Sequence, residues 1–233
     1  MSSTDQLLLI RRHDFFKQLS DEDYESLKIL HNFKTARRNE FIYFESHLNR
    51  NLFFVKEGFV KIGYHDKEGN EVIKEVIGSG DIFGQVTLEE RTGEGEFAQA
   101  YKSDVSLCMF RQNEFITLLE QKPQLAISFS KQVGGKLARL ENRMVNLLHR
   151  DIRSRLLYFI FTLLQQFPDN VKGNAFQLPN YLTHDDVARL IGSSRQTVTT
   201  QFSQLENEGI VIFKRNMIQV PDVKVLQKAI TVL

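Results

Sequence analysis

One stretch of the chain, Leu182 to Phe213 (LTHDDVARLIGSSRQTVTTQFSQLENEGIVIF), leaves the backbone few choices. Thr183 followed three residues later by Asp186 is a capping-box pattern, and Val187, Ala188, Leu190 and Ile191 supply the apolar stripe of a short helix that Gly192 ends. Either Ser193 or Ser194 can cap a second helix, in which Val198, Phe202 and Leu205 recur at helical spacing before Gly209 closes it. Two helices joined by a tight glycine turn form a helix-turn-helix. Beyond Gly209, Ile210 to Phe213 and Met217 to Val220 read as two strands around the polar turn Lys214-Arg215-Asn216, which is the pattern of a wing.

The residue types at the start of the second helix point to nucleic acid. If this is a recognition helix, its first turns enter a major groove, which makes Ser193, Ser194, Arg195, Gln196, Thr197, Thr199 and Thr200 the candidate contacts. Arginine bonds guanine bidentately, glutamine can do the same to adenine, and serine and threonine suit phosphate oxygens. Lys214 and Arg215 on the wing are placed near phosphates. Gln196 has a second available role, because Ser193-x-x-Gln196 also fits a capping box.

With 233 residues and 42% hydrophobic content, the chain can hold two modest domains, each with its own core. A net charge of +1 carries no global sign of a polyanion partner, so any affinity for nucleic acid must come from a local patch. Cys108 is the only cysteine, which excludes an intramolecular disulfide, a multi-cysteine zinc site or a four-cysteine iron–sulfur cluster within one chain; a reducing cytoplasm is the simplest home. The six histidines (His13, His31, His47, His65, His149 and His184) are scattered, so neither haem nor another metal or cofactor is expected. Met1 to Arg12 lacks the features of a signal peptide, and Leu156 to Leu164 is too short to cross a bilayer and reads as a buried helix. No Gly-rich nucleotide loop, metal-spaced histidine cluster or nucleophile elbow marks an enzyme.

The spacing predicts short helices over residues 14–33, capped at Ser20, and then a different texture. Phe41–Phe44, Leu52–Val55, Phe59–Tyr64, Val72–Ile77 and Val105–Phe110 read as short strands, with Lys56-Glu57-Gly58 and Asp66 to Asn70 as turns between them. This rhythm favours an antiparallel barrel or jelly roll of about eight strands. Gln124 to His149 reads as one long helix whose Val133, Leu137, Leu140, Met144 and Leu147 alternate by fours and threes, the seam of a parallel dimer, while Gly134 and Gly135 interrupt its first half. A further helix spans Asp151 to Phe167, and Phe176 to Leu178 is a short strand. Lys131, Lys136, Arg139, Arg143, Arg150, Arg153 and Arg155 form a basic face, with Arg150, Arg153 and Arg155 as candidate phosphate contacts.

A barrel, a long dimer helix and a winged helix-turn-helix in this order resemble the Crp/Fnr family of bacterial transcription regulators. The resemblance rests on Ile191-Gly192-Ser193-Ser194-Arg195-Gln196-Thr197-Val198, similar to the family's recognition-helix signature, and on Gly78-Ser79-Gly80-Asp81-Ile82-Phe83-Gly84, which looks like the turn opening its effector cassette. It implies an α+β fold with a cyclic-nucleotide-binding-like antiparallel jelly roll over residues 1–120, a dimerisation helix over 121–150 and a winged helix-turn-helix over 151–233. Double-stranded DNA, a second copy of the chain and RNA polymerase are the implied partners, and no membrane is.

The cassette departs from cyclic-AMP-binding members. Gln85 follows Gly84 where they carry a ribose-binding Glu, and Glu96-Phe97-Ala98 replaces their phosphate-binding Arg-Ser/Thr-Ala run; Glu89, Glu90 and Glu94 surround the same loop, with Arg91 the one nearby cation. A phosphate brought to several carboxylates is repelled, so no cyclic AMP binding is expected. An effector of another kind would meet Tyr64, Phe83, Gly84, Gln85, Val86, Phe97, Ala98, Leu137 and Leu140. Arg195 matches the family's guanine reader, Gln196 stands where many members carry Glu, and Thr200 stands where some carry a second reading Arg, so the operator should differ from theirs. The competing reading is a ligand-binding or interaction module that keeps the fold without reading DNA.

Overall fold

The computed structural model describes residues 15–16, 19–20, 22, 33–44, 50–86 and 95–231. The chain divides into two compact units, residues 1–138 and 139–233, with the border inside its longest helix. The expected N-terminal helices and the carboxylates Glu89, Glu90 and Glu94 fall largely or wholly outside the described residues.

The first unit is built on an antiparallel sheet. Two long strands, β3 (Asn51–His65) and β6 (Glu96–Arg111), pair from Asn51 against Arg111 to Tyr64 against Glu96. Around them lie β1 (Phe33–Ala36) and β2 (Phe41–Tyr43) on β6, and β4 (Glu71–Ile77) and β5 (Ile82–Gly84) on β3. Among the described residues the sheet therefore has six strands rather than about eight.

One expected turn, Lys56-Glu57-Gly58, is a bulge instead, which joins two expected strands into one. The pairing register shifts on both sides of Glu57, and the expected strands Leu52–Val55 and Phe59–Tyr64 are one continuous strand. Gly58 has φ of +86°, and a Cβ there would stand 2.4 Å from the Asp104 carbonyl oxygen, so the partner strand comes too close for any side chain. By contrast, Asp66 to Asn70 is a turn, closed by Asp66 Oδ1, which accepts from the Glu68 and Asn70 amides at 2.9 and 2.8 Å.

Alternation along β3 sorts its side chains between two cores. Leu52 and Phe54 join Phe15, Phe16, Phe110 and Phe115 under the helix α1 (Gln112–Gln121) and the first turns of α2 (Pro123–His149), where Leu125 and Phe129 are buried. Phe53 and Val55 point the other way, to Ile42, Ile62, Phe83 and Ala98. Cys108 belongs to the first core; burial pushes its thiol up to about 12, which leaves an inert apolar side chain.

The second unit opens with α3 (Ile152–Gln166), capped by Asp151, whose carboxylate accepts from the Ser154 amide at 2.7 Å. A four-stranded sheet follows in the order β7 (Val171–Lys172), β8 (Ala175–Pro179), β10 (Met217–Val220), β9 (Ile212–Phe213). Between β8 and β9 run α4 (His184–Ile191) and α5 (Arg195–Asn207), and α6 (Val223–Thr231) ends the described chain. No helix among the described residues is long and apolar enough to cross a membrane.

Candidate nucleic-acid interface

The two helices of the motif start and stop where their local chemistry demands. Thr183 caps α4: its Oγ1 accepts from the Asp186 amide at 3.1 Å while Asp186 accepts from the Thr183 amide at 2.6 Å. Gly192 then turns left-handed, with φ of +65°, and a Cβ added there would come within 3.0 Å of Leu147 Cδ2. Ser193 donates its N–H to the Ala188 carbonyl at 2.9 Å and so belongs to the end of α4. That leaves Ser194 to cap α5, accepting from the Thr197 amide at 3.1 Å. The Ser193–Gln196 box does not form, and the exposed Gln196 side chain is not used by the helix terminus.

Val198, Phe202 and Leu205 turn one face of α5 into the core. Arg195, Gln196, Thr199 and Thr200 lie exposed on the other. The two threonine hydroxyls donate to the carbonyls one turn back, Thr199 to Arg195 at 2.9 Å and Thr200 to Gln196 at 3.2 Å. Thr197 is half-buried with its hydroxyl 2.8 Å from that of Ser194, and Ser193 is half-buried with its Oγ unpartnered. On the wing, Arg215 is exposed, whereas Lys214 is paired with Glu206 at 2.5 Å.

Two of the three arginines upstream are committed within the unit. Arg153 forks onto Glu208, donating at 3.0 and 2.5 Å. Arg155 donates to four carbonyls: Arg150 at 2.9 Å, Leu147 at 2.8 Å, and Ile191 and Gly192 at 3.3 Å. It thereby satisfies the orphan ends of α2 and α4 with one guanidinium, a task that its five donors suit and a lysine cannot perform. Arg150 sits over the Tyr158 ring at 5.6 Å.

Residues 154–229 match the Crp-like helix-turn-helix domain, and residues 33–122 match the cyclic nucleotide-binding domain. The chain belongs to the Crp/Fnr family. Relatives of this Crp/Fnr protein are transcription regulators, not enzymes. It is 26% identical over 166 residues to the cAMP-activated global transcriptional regulator Vfr of Pseudomonas aeruginosa, covering 70% of this chain and 77% of Vfr. To the cyclic AMP receptor protein of Thermus thermophilus it is 25% identical over 187 residues, covering 80% and 82%. The solved structure of a CooA mutant from Carboxydothermus hydrogenoformans superposes with a TM-score of 0.69 at 25% identity, over 90% of this chain and 92% of that one.

In this Crp/Fnr regulator, the residues nominated for an effector site are dispersed in their exposure. Phe83, Phe97 and Ala98 are buried core, Gly84, Gln85 and Val86 are half-buried, and Tyr64, Leu137 and Leu140 are exposed. Phe83 stacks on Phe53 with ring centroids 4.8 Å apart. Glu96 is engaged twice, accepting from the Tyr43 hydroxyl at 2.7 Å and pairing with Lys74. Burial, then the Glu96 charge and hydrogen bond, raise the Tyr43 hydroxyl above its ordinary range, so it stays a donor to that carboxylate.

Sequence reasoning passed over His184 as a member of this surface. Its position directly after the Thr183 cap was legible, but the partners that give it a place, Thr199, Phe202 and Phe213, lie 15 or more residues further on.

Proposed function

We propose that this regulator is a cytoplasmic homodimer that reads a two-fold-related DNA site through the first turns of α5, with Arg195 and Gln196 as base readers and Arg215 near phosphate. The observation that carries this is the division of α5: one face buried through Val198, Phe202 and Leu205, and a polar, exposed N-terminal face bearing Arg195 and Gln196. Gln196 both donates and accepts, so its base preference differs from that of a glutamate at the same place. Thr200 forms no arginine-type contact. RNA polymerase is the further partner that a regulator of this family implies.

Dimerisation is supported by α2. Leu137, Leu140, Met144 and Leu148 are 56%, 49%, 63% and 65% exposed in the single chain. At about 100° per residue they fall within an arc of about 80°, a narrow apolar stripe. Of the seam expected from spacing, Val133 instead packs partly against the first core and Leu147 is half-buried near Gly192, so the free stripe runs from Leu137 to Leu148. A parallel pair sets two recognition helices about one turn of DNA apart.

Selection of binding sites from random duplexes, followed by fluorescence anisotropy, tests this reading. Arg195→Ala is expected to cost about 1–3 kcal/mol of operator affinity and to relax selection at one base pair per half-site. No enrichment from the pool and no binding even at low salt would refute it.

The sensor unit is proposed not to bind cyclic AMP. At the position where the family resemblance places the phosphate-binding arginine of cyclic-AMP-binding members, Glu96 stands bound to Lys74 and Tyr43, and Phe97 is buried beside it. A cyclic phosphate would meet a carboxylate whose own cation is already engaged. Calorimetric titration is expected to give no binding heat; a micromolar affinity would show this assignment to be wrong.

A further inference from the structure

His184 opens α4, yet its ring lies against the two other elements of the DNA-facing surface. It stacks on Phe202 of α5 at a centroid distance of 5.2 Å and an interplanar angle of 23°, and meets Phe213 of β9 at 5.0 Å. The two phenyl rings are themselves 4.3 Å apart. Nδ1 lies 2.8 Å from Thr199 Oγ1, whose hydroxyl donates to the Arg195 carbonyl. A hydroxyl has one hydrogen, so Thr199 accepts here and the Nδ1–H donates. In the neutral ring Nε2 is then the bare nitrogen. A proton arriving there leaves the bond to Thr199 intact.

The charges around the ring decide what that proton does. On α5, Arg195 acts on it; burial first and then Arg195 hold the imidazole below its ordinary value of 6.5. On α4, Asp185 pairs with Arg189 at 2.8 Å, and Asp186 is held in the capping box with Thr183. On the wing, Lys214 pairs with Glu206. Free protein therefore disfavours the imidazolium. Bound DNA would reverse the balance, because phosphates pass the first helix of such a motif and guanine acceptors would compensate Arg195. The faces of Phe202 and Phe213 accept a cation through their ring quadrupoles.

We propose that His184 is a positioning residue that links DNA binding to the uptake of a proton: neutral, it ties α4, α5 and the wing together through Thr199 and the two phenylalanines, and in the complex it becomes a second cation beside Arg195. This rests on the DNA-reading role proposed above. The sign follows from linkage. A group whose pKa is higher in the complex than in the free protein takes up a proton on binding, so affinity rises as pH falls between the two values, by at most about tenfold per pH unit for each site.

Anisotropy titrations of the selected operator at constant ionic strength, from about pH 8 down to about pH 5.5, are expected to show wild-type affinity tightening about tenfold. His184→Phe keeps the stack without a donor or a titrating nitrogen, and His184→Asn keeps a donor without titrating. Both are expected to lose that slope. Calorimetry of the wild type in two buffers of different protonation enthalpy counts the proton independently of how the variants fold, and uptake below about pH 7 is expected. A flat wild-type profile, no measured uptake, or variants that retain the slope overturn the inference while leaving DNA reading intact. Absence of binding at every pH overturns both.

Discussion

Changing Leu140 and Met144 together to aspartate is expected to make the protein monomeric and to weaken binding to a two-fold operator by at least about 100-fold. Both side chains are largely exposed in the single chain, 49% and 63%, so neither unit loses core packing by the change. In a parallel pair each would be removed from water. Full burial of such a side chain contributes about 1.5–3 kcal/mol, and with about half of each still exposed, two from each of two helices contribute about 3–7 kcal/mol to association. Four carboxylates facing one another add repulsion to that loss. Light scattering behind size exclusion gives the mass, and anisotropy gives the operator affinity. A variant still dimeric at micromolar concentration would remove α2 from the interface. Monomeric protein with unchanged operator affinity would show that each half-site is read alone.

Phe54→Ala is expected to destabilise the first unit by about 3–5 kcal/mol, a large share of what a domain of this size possesses. Phe54 is fully buried, and its ring lies 4.9 Å from Phe15, 5.0 Å from Phe16, 5.7 Å from Phe115 and 5.9 Å from Phe110. These rings come from the N-terminal segment, β6 and α1, so the cavity left behind borders several elements and cannot collapse by moving one of them. Urea unfolding of the full chain, followed by a probe placed in the first unit, measures the loss. A change under about 1 kcal/mol would mean that the aromatic cluster is not packed as a single core.

The helical half of the protein was legible because its signals are local. The Thr183–Asp186 box, the Gly192 turn and the Val198, Phe202 and Leu205 spacing each lie within a few residues of what they control. The sheet was less so. A glycine flanked by two apolar runs, as Gly58 is, looks the same whether the chain reverses there or bulges, and the Asp104 carbonyl that decides it is 46 residues away. The cap of α5 shows the limit even for neighbours. Ser193 and Ser194 are chemically equivalent candidates, separated only by the hydrogen bond from the Ser193 amide to Ala188 that assigns the first of them to α4.

Periodicity and caps determined by themselves that this chain has an antiparallel sheet, a long helix and a winged helix-turn-helix, and which helix end carries Arg195 and Gln196, the side chains proposed to read bases. Tertiary structure alone decided which of the charged residues are free to act. Arg155 is consumed by carbonyls up to 37 positions away, Arg153 by Glu208 across 55, and Glu96 by Tyr43 across 53. His184 gained its partners in the same way, from two helices and a strand folding onto one ring. The physical reason is common to all four. A residue type states what bonds a side chain can make, but a charge or a polar atom is committed only by the partner that folding brings within about 3 Å of it.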